Sequence, residues 1–115
     1  MIGRNYELPT DDMVEKYSAH LFTPAKEYLK KLSAQERARI TFSISLLQQG
    51  DNDSVYTKQL DGPIRELVIG YHRVTYFVLS QTVYAVNGFR KKSAKTPKQH
   101  IDFARKMYKY IKTNF

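Results

Sequence analysis

The sequence predicts an α+β fold, with an N-terminal helical hairpin packed on a twisted antiparallel β-sheet and a C-terminal helix. Three observations predict it. Between Ala25 and Leu47 apolar residues recur at helical spacing in two adjoining runs, each with its own start signal. From Tyr56 to Phe89 the period falls to about two, and Val, Thr, Tyr and Phe become dense. After Thr96-Pro97 the helical period returns and runs to the C-terminus. Helices gathered before and after a block of strands, rather than alternating with them, place the chain in the α+β class.

The first dozen residues, MIGRNYELPTDD, are polar and read as an irregular lead-in. Val14 to Phe22 fits a strand or a helix equally well. Thr23 is the expected N-cap of the first helix, with Pro24 at its first position. Ala25, Tyr28, Leu29 and Leu32 form its apolar face. Ser33-Ala34-Gln35-Glu36 is a capping box: the serine accepts from the Glu36 amide while Glu36 reaches back. The second helix carries Ile40, Ile44 and Leu47 and ends near Gly50, which suits a left-handed cap. So short a link makes the two helices fold back as a hairpin.

Strands are expected over Tyr56–Leu60, Ile64–Ile69, His72–Leu79 and Thr82–Phe89. Asp61-Gly62-Pro63 is a turn, Gly70 a bend or bulge, and Ser80-Gln81 a hairpin tip. Short links make these strands an antiparallel meander. The last helix presents Ile101, Ala104, Tyr108, Ile111 and Phe115 as one stripe, which covers the sheet or packs on the hairpin. Its basic opposite side also allows a membrane-surface reading.

A chain of 115 residues is expected to be a single domain, 1–115, with 1–22 as an atypical N-terminal segment. With no cysteine, disulfides and thiolate metal sites are impossible. His20, His72 and His100 are far apart and match no metal-ligand spacing. No apolar stretch approaches a membrane span, and the start lacks a secretory pattern, so the expected location is cytoplasmic.

The charge is uneven. Val86–Phe115 holds nine Lys/Arg and one acidic residue, Asp102, whereas Met1–Ala85 holds ten of each sign. The whole net charge of +8 therefore lies in the last 30 residues. The basic run opens as NGFRKKSAKTPKQ directly after a strand, which fixes it in space. Such a block suits a polyanion, with nucleic acid as the first candidate.

From Pro24 onward the sequence resembles the phage-derived, HigB-like branch of the RelE/ParE toxin superfamily. The segments that carry the resemblance are PAKEYLKKL, LLQQG, KQLDGPIRELVIGYHRVTYFV and VNGFRKKSAKTP. Their order is specific as a set. The resemblance implies a RelE-like fold and a type II toxin held inactive by a helix-turn-helix, HigA-like antitoxin. It implies endoribonuclease cleavage of mRNA on the ribosome, by 2′-hydroxyl attack on the adjacent phosphate, with no metal and no cofactor. A ParE-like toxin that binds DNA gyrase, and a nucleic-acid-binding module without chemistry, are the alternatives.

That reaction needs a proton acceptor, cations on the five-coordinate phosphate and a donor for the leaving oxygen. Arg73 matches the family's strand arginine and is assigned a forked contact to the scissile phosphate; the competing role is a surface pairing with Glu66. Lys91 and Lys92 follow the last strand, where the family places basic catalytic residues. Crowding by Arg90 and Lys95 would lower their pKa values and suit one of them to proton transfer; the competing role is a solvated run gripping rRNA or antitoxin. Strand alternation sends Arg65 and Glu66 to opposite faces, and Arg65 is chosen as the one that faces RNA because its charge matches. Arg90, Lys95, Lys98 and Tyr71 are assigned to RNA or ribosome binding. His72, next to Arg73, is expected on the other face, and Tyr76 in the core. RelE has a tyrosine shortly after its last basic cluster; here that place holds Thr96-Pro97, so the role is vacant or moved.

Overall fold

The computed structural model describes residues 16–115. The lead-in MIGRNYELPTDD lies outside the described residues.

A short strand opens the described chain, β1 (Ser18–Leu21), followed by helices α1 (Thr23–Lys30) and α2 (Ala34–Gln48). The α1 N-cap is Phe22 rather than Thr23, because the Phe22 carbonyl accepts from the amides of Ala25 and Lys26. At α2 the capping box forms, with Ser33 Oγ accepting from the Glu36 amide at 3.1 Å. Gly50, at φ +77°, ends α2 as a Schellman motif: its amide donates to Leu47 and that of Asp51 to Leu46. Arg37 donates to the Leu29 and Leu32 carbonyls and so closes the end of α1.

Four strands follow: β2 (Tyr56–Asp61), β3 (Ile64–Ile69), β4 (His72–Leu79) and β5 (Thr82–Arg90). They form the expected antiparallel meander. The sheet order is β1-β5-β4-β3-β2, and β1 pairs with β5 in parallel, so the sheet is mixed rather than wholly antiparallel. A bulge at Val86 shifts the β4–β5 register between Thr75 and Tyr76.

Helices cover both faces of the sheet. On one face, Ala25 and Leu29 of α1 and Ile40, Ile44 and Leu47 of α2 pack against Leu67, Ile69, Val74, Tyr76, Val83 and Ala85. On this face α1 runs along β5. On the other face, Ala104 and Ile111 of α3 (Lys98–Asn114) meet Ile64, Phe77 and Val86, with Tyr108 edge-on to Phe77. Burying a side chain the size of Phe77 contributes about 1.5–3 kcal/mol. The α3 stripe thus covers the sheet, as one of the two expectations had it. Phe115 departs from it and is 86% exposed. None of the helices among the described residues is long and apolar enough to cross a membrane.

Candidate functional site

A cleft of about 440 Å³ opens where β4 begins and β5 ends. Its floor is the α3-side face of β3 and β4, its wall the segment 89–97, and its far side the first turn of α3. The Lys91 amide donates to the Tyr71 carbonyl at 2.8 Å, which carries the strand pairing one residue past the end of β5. Ser93 Oγ donates to the Lys95 carbonyl at 2.9 Å and folds the basic loop. Thr96 Oγ1 donates to Glu66 Oε2 and anchors the loop to the floor.

Two buried charges form that floor. Glu66 is 2% exposed and Arg73 7%, with Arg73 Nε 3.7 Å from Glu66 Oε1. Register places Glu66 opposite Thr75 and Val68 opposite Arg73, so both charges lie on one face, diagonal to each other. Arg73 Nη1 also donates to the carbonyls of Gly70 and His72, at 2.8 and 2.9 Å. The guanidinium is thereby a fixed cation, already partly balanced by its carboxylate. Exposed Arg90, Lys91, Lys92 and Lys95 stand around the opening without an ion pair among the described residues, and the clustered cations make the field there positive.

His100 lines the same cleft. Its ring stacks on Phe89, with centroids 4.2 Å apart and planes 14° from parallel. Burial pushes its pKa below the ordinary 6.5, although Glu66 pulls the other way. The Gly88 amide donates to Asn87 Oδ1, which turns Asn87 Nδ2 toward His100 Nδ1 at 2.8 Å. A neutral ring accepting there carries its proton on Nε2.

Tyr28 of α1 forms the opposite rim. Its hydroxyl lies 2.6 Å from His72 Nδ1, and His72 Nε2 lies 3.2 Å from Glu36 Oε2. Burial raises the Tyr28 pKa, with Arg90 opposing and Glu36 adding to the rise. The hydrogen bond to His72 holds the Glu36 carboxyl below its ordinary range.

Of the residues singled out in the sequence, Arg73, Lys91, Lys92, Arg90 and Lys95 come together in the cleft. Arg65 does not join them. The register turns it to the α1–α2 face, where Nη2 donates to Thr57 Oγ1 at 3.0 Å beside a separate pocket of about 360 Å³. Its neighbour Glu66 takes the cleft face instead. Lys98 sits on the exposed start of α3, paired with Asp102 at 2.9 Å. Tyr71 is 72% exposed on the β3–β4 turn, outside the cleft wall. His72 points to the α1–α2 face, opposite to Arg73, as expected, and Tyr76 is core.

Sequence reasoning does not single out Thr96, His100 or Tyr28 for the site, and offers Glu66 only as the competing partner of Arg73; that pairing forms, buried rather than at the surface. Tyr28 reads in the sequence as part of the apolar stripe of its helix. The signal for His100 was available: Asn87 and Phe89 alternate onto one strand face, and His100 falls in the first turn of the helix that covers it. Among the described residues no group of three or more His, Asp or Glu is placed to hold a metal ion.

The profile of a family described as Phage derived protein Gp49-like (DUF891) matches residues 27–109. None of the curated proteins matches the chain. Several solved structures are similar in fold. The RelBE2 toxin–antitoxin complex of Mycobacterium tuberculosis matches with a TM-score of 0.54 and 18% identity, over 68% of this chain and 100% of that one. The archaeal RelE–RelB complex of Pyrococcus horikoshii OT3 matches with a TM-score of 0.54 and 16% identity, over 69% and 99%. The isolated E. coli RelE toxin matches with a TM-score of 0.54 and 11% identity, over 75% and 96%. At these identities the likeness is one of fold.

Proposed function

This chain belongs to the Gp49-like family of phage-derived proteins, and from that premise we propose that it is the toxin of a type II toxin–antitoxin pair, an endoribonuclease that cleaves mRNA on the ribosome. The observation that carries the reading is a fixed guanidinium, Arg73, on the floor of a cleft ringed by Arg90, Lys91, Lys92 and Lys95. Supporting it, the fold is shared with RelE proteins solved with RelB antitoxins.

In this reading the substrate supplies its own nucleophile. The 2′-oxygen attacks the adjacent phosphorus, the bond to the 5′-oxygen breaks, and the products are a 2′,3′-cyclic phosphate and a 5′-hydroxyl. Lys91 and Lys92 stabilise the extra negative charge on the five-coordinate phosphate and supply the leaving oxygen with a proton. Arg73, held at three points, meets the phosphate without reorganising. Arg90 and Lys95 grip the flanking backbone, and Lys98 and Tyr71 extend the contact beyond the cleft. No metal or cofactor enters the scheme. The basic surface of α3 attracts an acidic segment of a helix-turn-helix, HigA-like antitoxin, and the protein works in the cytoplasm, where its mRNA target is.

Induced expression tests the reading. Transcripts cut with 5′-hydroxyl ends are expected, and replacing Lys91 and Lys92 together by alanine is expected to slow cleavage about 100- to 1000-fold with the circular dichroism spectrum unchanged. Growth arrest with gyrase-linked DNA breaks and intact RNA would assign the protein to the ParE-like class. Salt-sensitive RNA binding with neither arrest nor cleavage would reduce it to a binding module.

A further inference from the structure

Tyr28, His72 and Glu36 form a hydroxyl–imidazole–carboxylate chain that ends at the Tyr28 rim of the basic cleft. Its protonation follows from the partners. Glu36 is ionised, so it accepts only, and His72 Nε2 must carry the proton that bonds to it. In the neutral ring His72 Nδ1 offers a lone pair, and the Tyr28 hydroxyl, 2.6 Å away, is placed to donate to it. The tyrosine oxygen keeps its own lone pairs for a third partner.

The chain is also fixed in place. Ser33 Oγ donates to Glu36 Oε1, so the α2 capping box orients the carboxylate. His72 is 3% exposed and cannot swing into solvent. Opposite Tyr28, β5 carries Gly88, and a Cβ built there would lie 2.4 Å from Tyr28 Cδ2 and 2.9 Å from Cγ. The strand thus leaves open the space that the tyrosine ring occupies. A lone core histidine needs none of this, whereas a nucleophile-activating array does.

We propose that Tyr28 is the proton acceptor of the cleft, a catalytic residue for the 2′-hydroxyl of RNA, with His72 and Glu36 as its positioning residues. The inference rests on the ribonuclease reading above. As the O2′–H bond breaks, Tyr28 Oη takes that proton and passes its own to His72 Nδ1. The freed O2′ pair bonds to phosphorus. The P–O5′ pair leaves with the 5′-oxygen, which takes a proton from Lys91 or Lys92. His72 ends as imidazolium, stabilised by Glu36; it returns its proton to water, and the lysine regains one.

The test is single-turnover cleavage of a transcript loaded on ribosomes, at the position wild-type protein cuts, with a natural linkage and with a bridging 5′-sulfur in place of the leaving oxygen. Tyr28→Phe is expected to slow both substrates about 100- to 10,000-fold while affinity for the loaded ribosome is unchanged. Glu36→Gln, on a partly exposed side chain outside the core, is expected to lower the rate without changing affinity. Wild-type rates in either variant overturn the proposal. Rescue of Tyr28→Phe by the sulfur substrate also overturns it, because that result makes Tyr28 the acid. Weakened binding with an unchanged rate makes it a contact residue. If wild-type protein cuts neither substrate, the ribonuclease reading itself fails.

Discussion

Thr96, the last residue before Pro97 and α3, donates its hydroxyl to Glu66, a carboxylate buried in the middle of β3. One hydrogen bond therefore joins the end of the basic loop to the most enclosed charged side chain among the described residues. Thr96→Val keeps the shape and removes the donor, leaving Glu66 with one partner fewer in a dry site. A loss of about 1–3 kcal/mol is expected in urea unfolding, with faster amide exchange over residues 91–96. Unchanged stability and exchange would show that the loop is anchored elsewhere.

Arg73→Ala is expected to cost about 3–5 kcal/mol, because it strands a carboxylate that is only 2% exposed. On the proposed reading, loss of activity in that variant then reports on folding as well as on the proposed phosphate contact. Replacing the pair together, Glu66→Leu with Arg73→Met, is expected to recover much of the stability and none of the activity. Equilibrium unfolding of the two variants separates the effects.

Gly88→Ala is expected to destabilise by about 1–3 kcal/mol, since the new methyl meets the Tyr28 ring near its root, where the side chain cannot flex away. Displacing the ring also breaks the bond to His72. A thermal midpoint equal to wild type would mean that α1 shifts to absorb the methyl.

Stability is expected to rise with pH through the histidine range. Burial lowers the His100 pKa in the folded state below its ordinary 6.5, so the unfolded chain binds that proton more readily. As pH falls from 6.5 toward the folded value, protonation favours unfolding; above 6.5 the effect is complete. His100→Gln keeps an acceptor for Asn87 and cannot titrate, so its thermal midpoint should vary less over that window. The lowered pKa of Glu36 acts in a separate, more acidic window: its contribution is present above the ordinary carboxyl range and is lost as pH falls through the folded value.

Much of this architecture can be read from the chain, for local reasons. Ile64–Ile69 and His72–Leu79 are strands to the residue because turn chemistry brackets them. At the tip between β4 and β5, Ser80 and Gln81 both take positive φ, 51° and 61°, the conformation a two-residue hairpin needs. Strand β1 is harder to see. It has four residues, three of them exposed, and owes its existence to β5, more than sixty residues away in sequence. The α1 cap was misplaced because a backbone carbonyl, which every residue has, did the work assigned to the Thr23 side chain.

The site divides in the same way. Alternation was enough to separate Arg65 from Glu66, yet matching charge to a polyanion chose the wrong one for the cleft. A buried cation needs a counter-ion beneath it, so the acidic neighbour belongs with Arg73. Tyr28 and His72 lie 44 residues apart, and nothing local in either segment announces their contact.

The parallel pairing of β1 with β5 has a consequence for how the protein is made. A ribosome delivers β1 early but must finish β5 before that strand has a partner in the sheet. The cleft is later still, since its wall and far side come from residues 89–100. A nascent chain that stops short of β5 thus lacks Val83 and Ala85 of the face on which α1 and α2 pack, and has no cleft. On the proposed reading, a nascent chain stopped before α3 lacks the far side of the cleft and with it the site.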